Sequence, residues 1–459
     1  MSDPHELDAV VVGAGITGLA AAFRLVRAGR SVAVVEASER FGGCIETWAT
    51  EGPGGAWLFE PGPNTILGGA PALEGLIADA GLAGERIEAD PAAAKRYLWH
   101  RGRLRALPRG PLGLLATPVL SARGKLRLLR EPWAPGPPTE EESVAGFARR
   151  RLGGEALEVL AAPFVSGIWA GDPEKLSLCH AFPRLAALER EHGGLLKGLL
   201  RAGRGGAGGG GPPGRGLFTL RAGLATLPRR LADAVEAAAT VPGAGMHAGT
   251  PCRRLVAEGD RLRVETAAGT FRAPRVILAV PAAATAEILA DATGGASRAL
   301  AEVPAAPVVT VALGYRRGDV AHPLDGFGFL APHGEGLSIL GCLFPSSLFP
   351  GRAPAGCVAL TAIAGGRTRP GLPDLPDAEL LALVRADLAR TLGVTTEPLL
   401  ARIRRWLAGI PQYELGHDRF VELAQAIESR LPGLTLAGSY LGGVSLPDRV
   451  AEAERAAGS

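Results

Sequence analysis

Cysteine pairs with the spacing of a metal knuckle or a redox motif are missing. The five cysteines, Cys44, Cys179, Cys252, Cys342 and Cys357, are scattered, odd in number and free of any C-x-x-C. That pattern predicts reduced thiols in a cytoplasmic protein, without disulfides or structural zinc. Long apolar runs are missing too. No stretch reaches the roughly 18 consecutive apolar residues a bilayer demands, so membrane contact is expected only at the periphery. The N-terminal residues run straight into a strand pattern with no charged, apolar and cleavable leader. Charge of one sign is not in excess: 49 Lys and Arg against 46 Asp and Glu leave +3, which argues against nucleic acid as a partner. Aromatic and imidazole groups are scarce, with six Trp, four Tyr and eight His. Against that scarcity, "RWLAGIPQYELGHDRF" (405–420) gathers Trp406, Pro411, Gln412, Tyr413 and His417 in sixteen positions.

Glycine and proline are abundant, at 65 and 37 of 459 residues, so motifs must be judged by spacing rather than by single residues. The length predicts two or three domains, each able to bury a core. From Arg101 to Arg130 there are eight basic residues and no acid, interrupted by "PLGLLATPVL". Such a run reads either as a solvated helical face or as a surface for anionic headgroups.

"LDAVVVGAGITGLAAAFRLVRAGRSVAVVEASERFGG" carries the first chemistry. A buried strand (Ala9–Val12) is followed by a turn at Gly13, Ala14 and Gly15, and a helix then opens with Ile16, Thr17 and Gly18. A second strand (Val32–Val35) ends at Glu36 and Ala37. Gly13 serves the tight turn, Gly15 lets a pyrophosphate approach the backbone, and Gly18 lets helix and strand pack closely. The helix N-terminus offers free N–H groups to the anion. Glu36 is spaced to accept hydrogen bonds from a ribose diol, so the unit predicts a dinucleotide site.

Further along, "GRGGAGGGGPPGRG" (203–216) reads as a flexible loop. Before it the patterning is helical. After it, "LFTL" leads into a helix, and 276–280 has the character of a buried strand returning to the dinucleotide domain. Strand-like segments from about 305 to 367 predict an antiparallel sheet with one face free to line a pocket. Helices follow from about 377 to 391, and "LTLAGSYLGGVSLPDRVAEAERAA" closes with a strand, a turn and a helix.

The loops "ERFGG", with Arg40 and Gly43, and "FEPGPNT" resemble those of flavin amine oxidases and favour FAD as the dinucleotide. Together with "FVSGIWAGDPEKLSL", "FTLRAGLATLPRRL", "GFGFLAP", "RWLAGIPQYELGH" and "LAGSYLGGVSL", they make nearly the whole chain similar to the oxygen-dependent porphyrinogen oxidases of the flavin amine oxidase superfamily. The resemblance implies an α/β (α+β multidomain) fold. Its Rossmann-like FAD-binding domain comprises 1–88, 215–295 and 405–459, its antiparallel-sheet substrate domain 89–108 and 296–404, and its helical, membrane-associating insertion 109–214. It implies non-covalent FAD and oxidation of protoporphyrinogen IX to protoporphyrin IX in three two-electron steps, each returning electrons to O2 as H2O2. Coproporphyrinogen III is the rival substrate. An amine oxidase, a carotenoid desaturase and a non-catalytic FAD scaffold are the other readings. Ser439 stands where amine oxidases usually have Asp, which weighs against amine oxidation.

Residue by residue, the resemblance assigns Arg96 to a substrate propionate. It places Gly167, Ala170, Gly328, Leu330, Leu343 and Ile363 around the macrocycle. Beyond the N-terminal unit it assigns Cys44, Gly62, Pro63, Asn64, Thr65, Cys252, Trp406, Val444, Ser445 and Leu446 to FAD. No metal and no conventional catalytic acid or base is expected, because the flavin carries the difficult step; His417 is read as ordering a turn. The expected partners are the porphyrinogen, O2 and the inner face of the cell membrane, with a second copy of the chain and the next haem-pathway enzyme left open.

Overall fold

A computed structural model describes residues 4–108, 113, 116–198 and 216–458. The Gly-rich loop up to residue 215 and most of the apolar residues 109–115 lie outside the described residues.

The dinucleotide half is built on a five-stranded parallel sheet. Its order is Gly245–His247, Val32–Val35, Ala9–Val12, Arg275–Leu278 and Leu434–Leu436. Every residue of Ala9–Val12 and Val32–Val35 is buried, as a parallel sheet covered on both faces requires. Alternation sends Ala9, Val11, Val32 and Val34 into one core, against Leu19 and Phe23 of the helix Ile16–Arg27 and Val450 of the helix Leu446–Gly458. Val10, Val12, Ala33 and Val35 enter a second core with Leu255, Val264 and Phe271 of a four-stranded sheet. The strand Arg275–Leu278 is the expected return of the chain, and the C-terminal strand and helix complete the layer.

The second half is a seven-stranded sheet in the order Leu400–Pro411, Ala305–Arg316, Cys357–Gly365, Ile339–Leu343, Gly326–Leu330, Lys95–His100 and Arg103–Ala106. All neighbours are antiparallel except Gly326–Leu330 with Lys95–His100. One face is a core in which Val309, Val311, Leu360 and Ala362 meet Leu380, Val384 and Leu388 of the helix Asp377–Leu392. The other face looks toward the dinucleotide half. The strand Leu400–Pro411 runs unbroken across position 405, so the quoted stretch begins inside this sheet.

Among the helices of the 109–214 segment are Ala122–Leu129, Val144–Arg151, Ala162–Trp169 and Pro183–His192. A buried charge network ties several of them together. Arg151, 0% exposed, donates to Glu131 and to the Gly193 carbonyl at 3.0 Å. Arg150 pairs with Glu142 at 2.6 Å and Glu189 at 2.7 Å, and the Glu131 carboxylate also accepts from the Leu195 amide at 2.8 Å. Removing one member leaves a buried charge unpaired, at a cost of about 3–5 kcal/mol. Arg151→Met should therefore lower the thermal midpoint of this segment while bound flavin is retained; an unchanged midpoint contradicts the role of the pair.

Candidate active site

The glycine-rich turn has the geometry its spacing predicts. Gly13 adopts φ +99°, and a Cβ at Gly18 would lie 1.9 Å from the Gly13 carbonyl oxygen, so only glycine lets the helix seat there. A Cβ at Gly15 would meet nothing within 4 Å, which leaves an open cradle at the N-terminus of the helix Ile16–Arg27. Ala14, Ile16 and Thr17 are buried around it. At the end of the second strand, Glu36 accepts from the Ala14 amide at 2.7 Å and, with its other oxygen, from the Ser38 amide at 2.9 Å. Ala37 follows directly. The Thr250 amide donates to the Glu36 carbonyl at 2.7 Å, which brings the Cys252 strand to the same edge.

The second loop closes over the first. Gly42 donates to the Ala14 carbonyl at 2.8 Å, and Gly43, at φ +60°, lies against the Gly15 Cα. Arg40 ties the loop by donating to the Phe41, Gly43 and Ile45 carbonyls. Gly62 packs on the Cys44 carbonyl, where a Cβ would stand 1.9 Å away. Asn64 donates to the Gly62 carbonyl at 2.8 Å, while its buried Oδ1 finds no partner among the described residues. Pro63 and Thr65 flank it. Trp406 reaches this loop from the sheet, its indole N–H donating to the Pro61 carbonyl at 3.0 Å.

Near the C-terminus, Val444 packs with Trp169 and Tyr413, Ser445 bonds Asp448 at 2.5 Å, and Leu446 begins the last helix. That helix lies beside the first, with Arg24 and Glu454 paired at 2.7 Å. The open Gly15 cradle, the Glu36 carboxylate and the orphaned Asn64 oxygen fit a bound FAD.

Some residues that build this site were not assigned from the sequence. Glu46 accepts from the Trp48 indole at 2.8 Å and pairs with Arg404 Nε at 3.1 Å, joining the flavin loop to the sheet. Glu60, buried in the "FEPGPNT" loop, accepts from the Leu224 amide and the Thr47 hydroxyl, both at 2.8 Å. Arg352 lies nearby, bonded to Thr219 and the Leu220 carbonyl at 2.9 Å. Only the sheet and helix contacts bring these distant positions together.

The residues assigned to the substrate share one face of the seven-stranded sheet. Arg96, Gly328 and Leu343 are cross-strand neighbours in one row, and Leu330, Gly341 and Ile363 in the next. Their alternates Tyr97, Phe329, Cys342 and Ala362 point into the opposite core. The helix Ala162–Trp169 lies over this face, and a Cβ at Gly167 would come within 2.6 Å of Leu330. Ala170 ends that helix at φ +46° and packs with Ile363. The Arg96 guanidinium sits 4.8 Å over the Phe327 ring and has no carboxylate partner among the described residues. Desolvation holds its pKa below the ordinary arginine value, although the residue keeps solvent access.

"IPQYELGH" straps these parts together. Gln412 donates to the Trp169 carbonyl at 2.9 Å, at the end of the helix over the sheet. Tyr413 donates to the Ser439 carbonyl at 2.6 Å and the His417 ring to the Tyr440 carbonyl at 2.9 Å. Burial pushes the His417 pKa down to about 4, so the neutral ring serves as a backbone fastener.

Residues 16–459 match the family of flavin containing amine oxidoreductases, and the chain belongs to that family. It is a flavin-dependent oxidoreductase whose cofactor is FAD. Within the family, it is 34% identical to a chloroplastic protoporphyrinogen oxidase of Oryza sativa subsp. japonica, over 96% of this chain and 85% of that one. It is 30% identical to a coproporphyrinogen III oxidase of Bacillus subtilis (strain 168), over 99% and 98%. A crystal structure of a protein from Exiguobacterium sp. 255-15 superposes with a TM-score of 0.83 at 27% identity, over 100% of this chain and 98% of that one.

Burial pushes the Glu60 carboxyl from 4.5 up to about 7, against the opposing pull of its two hydrogen bonds and Arg352. Such a group costs nothing below its unfolded pKa, progressively more as pH rises from about 4.5 to 7, and a constant amount above. The full difference is roughly 3 kcal/mol. Glu60→Gln removes the charge and keeps the polar contacts. The FAD-loaded variant should match the unaltered protein in thermal stability near pH ~5 and exceed it near pH ~8; parallel stability curves contradict a raised Glu60.

Proposed function

We propose that this enzyme oxidises a porphyrinogen, with protoporphyrinogen IX as the substrate. The observation that carries this reading is the sheet face described above: apolar residues and glycines on three strands, roofed by a helix, with Arg96 on a fourth strand and free of any carboxylate partner among the described residues. Coproporphyrinogen III is the second reading, favoured by the near full-length similarity to the Bacillus enzyme.

The chemistry asks little of the protein in acids or bases. A methylene bridge between electron-rich pyrroles loses a hydride readily, and bound FAD supplies the acceptor and the route of the electrons to O2. Arg96 clamps a propionate carboxylate through its planar guanidinium and thereby orients the macrocycle. Leu330, Leu343 and Ile363 exclude water from the ring face, while Gly328 lets the ring approach the backbone. Gly167 lies in the last turn of its helix, where carbonyls lack a following amide to serve, so it is available to a pyrrole N–H. Gln412 is a positioning residue for that helix end.

The domain division follows the same reading except at one boundary, where the strand Leu400–Pro411 carries the substrate part past 404: 1–88, 215–295 and the residues from 412 on surround FAD, 89–108 and 296–411 the substrate, and 109–214 form the insertion. The FAD assignments of Cys252 and of Val444 to Leu446 are parts of it. Peripheral contact with the inner face of a membrane is supported by the insertion's surface. Leu126, Leu129 and Trp133 are 51%, 50% and 81% exposed beside the exposed Arg123 and Arg130, apolar anchors within a basic rim. No helix among the described residues is long and apolar enough to cross a membrane.

Initial rates with the two porphyrinogens, followed by porphyrin fluorescence in air, test the substrate. The expected outcome is faster turnover of protoporphyrinogen IX; faster coproporphyrinogen III turnover establishes the second reading, and turnover of neither overturns both. Arg96→Ala should raise KM on the order of tenfold or more, the loss of one charge-assisted hydrogen-bonded contact, with kcat less affected. An unchanged KM removes Arg96 from the substrate site.

A further inference from the structure

Away from the flavin and the sheet face, two chain segments bring unlike ligating groups to one spot. Glu141, Cys179 and His180 place their ligand atoms within 4.8 Å of one another. Asp418 lies beside them, its Oδ1 3.0 Å from His180 Nε2. The segments are fastened by backbone bonds that do not depend on any ion. The Leu178 amide donates to the Glu142 carbonyl at 3.0 Å, Ser177 to Tyr413 at 2.8 Å and Leu415 to Lys175 at 2.9 Å. The Gly416 amide donates to Glu141 Oε2 at 2.7 Å. The other Glu141 oxygen faces Cys179 Sγ at 3.7 Å, and a cleft of about 200 Å³ lined by Pro137, Glu140, Glu141, Leu178 and Cys179 opens onto the thiol.

A His180–Asp418 ion pair alone explains two of these groups and is weak on an exposed surface. It gives no reason for a thiol and a second carboxylate to converge on the same point. We propose that Glu141, Cys179 and His180, with Asp418 beside the imidazole, form a site for a borderline divalent cation, Zn2+. One sulfur, one nitrogen and one carboxylate oxygen, with water in the fourth place, suit zinc, whereas Mg2+ and Ca2+ take oxygen ligands. Zn–N and Zn–S bonds of about 2.0 and 2.3 Å put tetrahedral ligand atoms roughly 3.3–3.8 Å apart, so side-chain rotation closes the set. The thiol proton leaves as the Zn–S bond forms, and bound zinc clamps Glu141 to the Cys179–His180 turn within the insertion. No local spacing announces the site, because Glu141 and Cys179 lie 38 residues apart.

Calorimetric titration of the reduced, chelator-treated, FAD-loaded protein with ZnCl2 tests the proposal. One Zn2+ per chain is expected, with proton release seen as buffer-dependent heat and a raised thermal midpoint. The double variant Cys179→Ser/His180→Ala should lose this binding while keeping FAD and porphyrinogen turnover. Glu141→Gln, at an exposed position, should weaken binding by at least the roughly tenfold cost of losing even an outer-shell partner; it serves as the comparison if the double variant does not fold. Absence of binding, or binding of equal affinity in the variants, overturns the site.

Discussion

Everything in the catalytic half depends on one strap of chain being held at both its edges. Residues 412–417 leave the sheet and pass between the helical insertion and the C-terminal turn, with Gln412, Tyr413 and His417 buried there. Gln412, 0% exposed, serves the Trp169 carbonyl, while Tyr413 and His417 serve the carbonyls of Ser439 and Tyr440. The strap therefore fixes the helix over the substrate face and the turn that starts the last flavin-facing helix at once. A shift there moves both halves of the site relative to each other.

With that strap in place, the two sheets divide the work. The parallel sheet presents a glycine turn and a helix N-terminus to a dinucleotide, with Glu36 at the neighbouring strand end. The seven-stranded sheet keeps one face for packing on the helix Asp377–Leu392 and turns the other toward the helix Ala162–Trp169. Glycines at 167 and 328 permit the close approaches, since a Cβ at Gly328 would stand 2.3 Å from the Cys342 carbonyl. Glu46 with Arg404, and Glu60 with Thr47, fasten the flavin loop to its surroundings.

Local chemistry was legible in the sequence, and long-range chemistry was not. Gly13, Gly15, Gly18 and Glu36 could be read directly because a strand, a turn and a helix enforce their spacing within one short unit. The 305–367 strands were legible from their alternation. That Lys95–His100 and Leu400–Pro411 join the same sheet depends on pairing register, which no local pattern encodes. The resemblance singled out Arg96 in the sequence, but its row with Gly328 and Leu343 is a matter of register and appears only in the sheet. The burial of His417 and its bond to Tyr440 make it structural, in keeping with the turn-ordering role expected of it.

The central claim is that the sheet face delivers a porphyrinogen to the flavin. Anaerobic stopped-flow mixing of the FAD-loaded protein with protoporphyrinogen IX tests it most directly, through the visible absorbance of oxidised flavin. The account predicts rapid bleaching that an alkyl diamine does not produce. Flavin that stays oxidised with the porphyrinogen, or bleaches only with the amine, would contradict it.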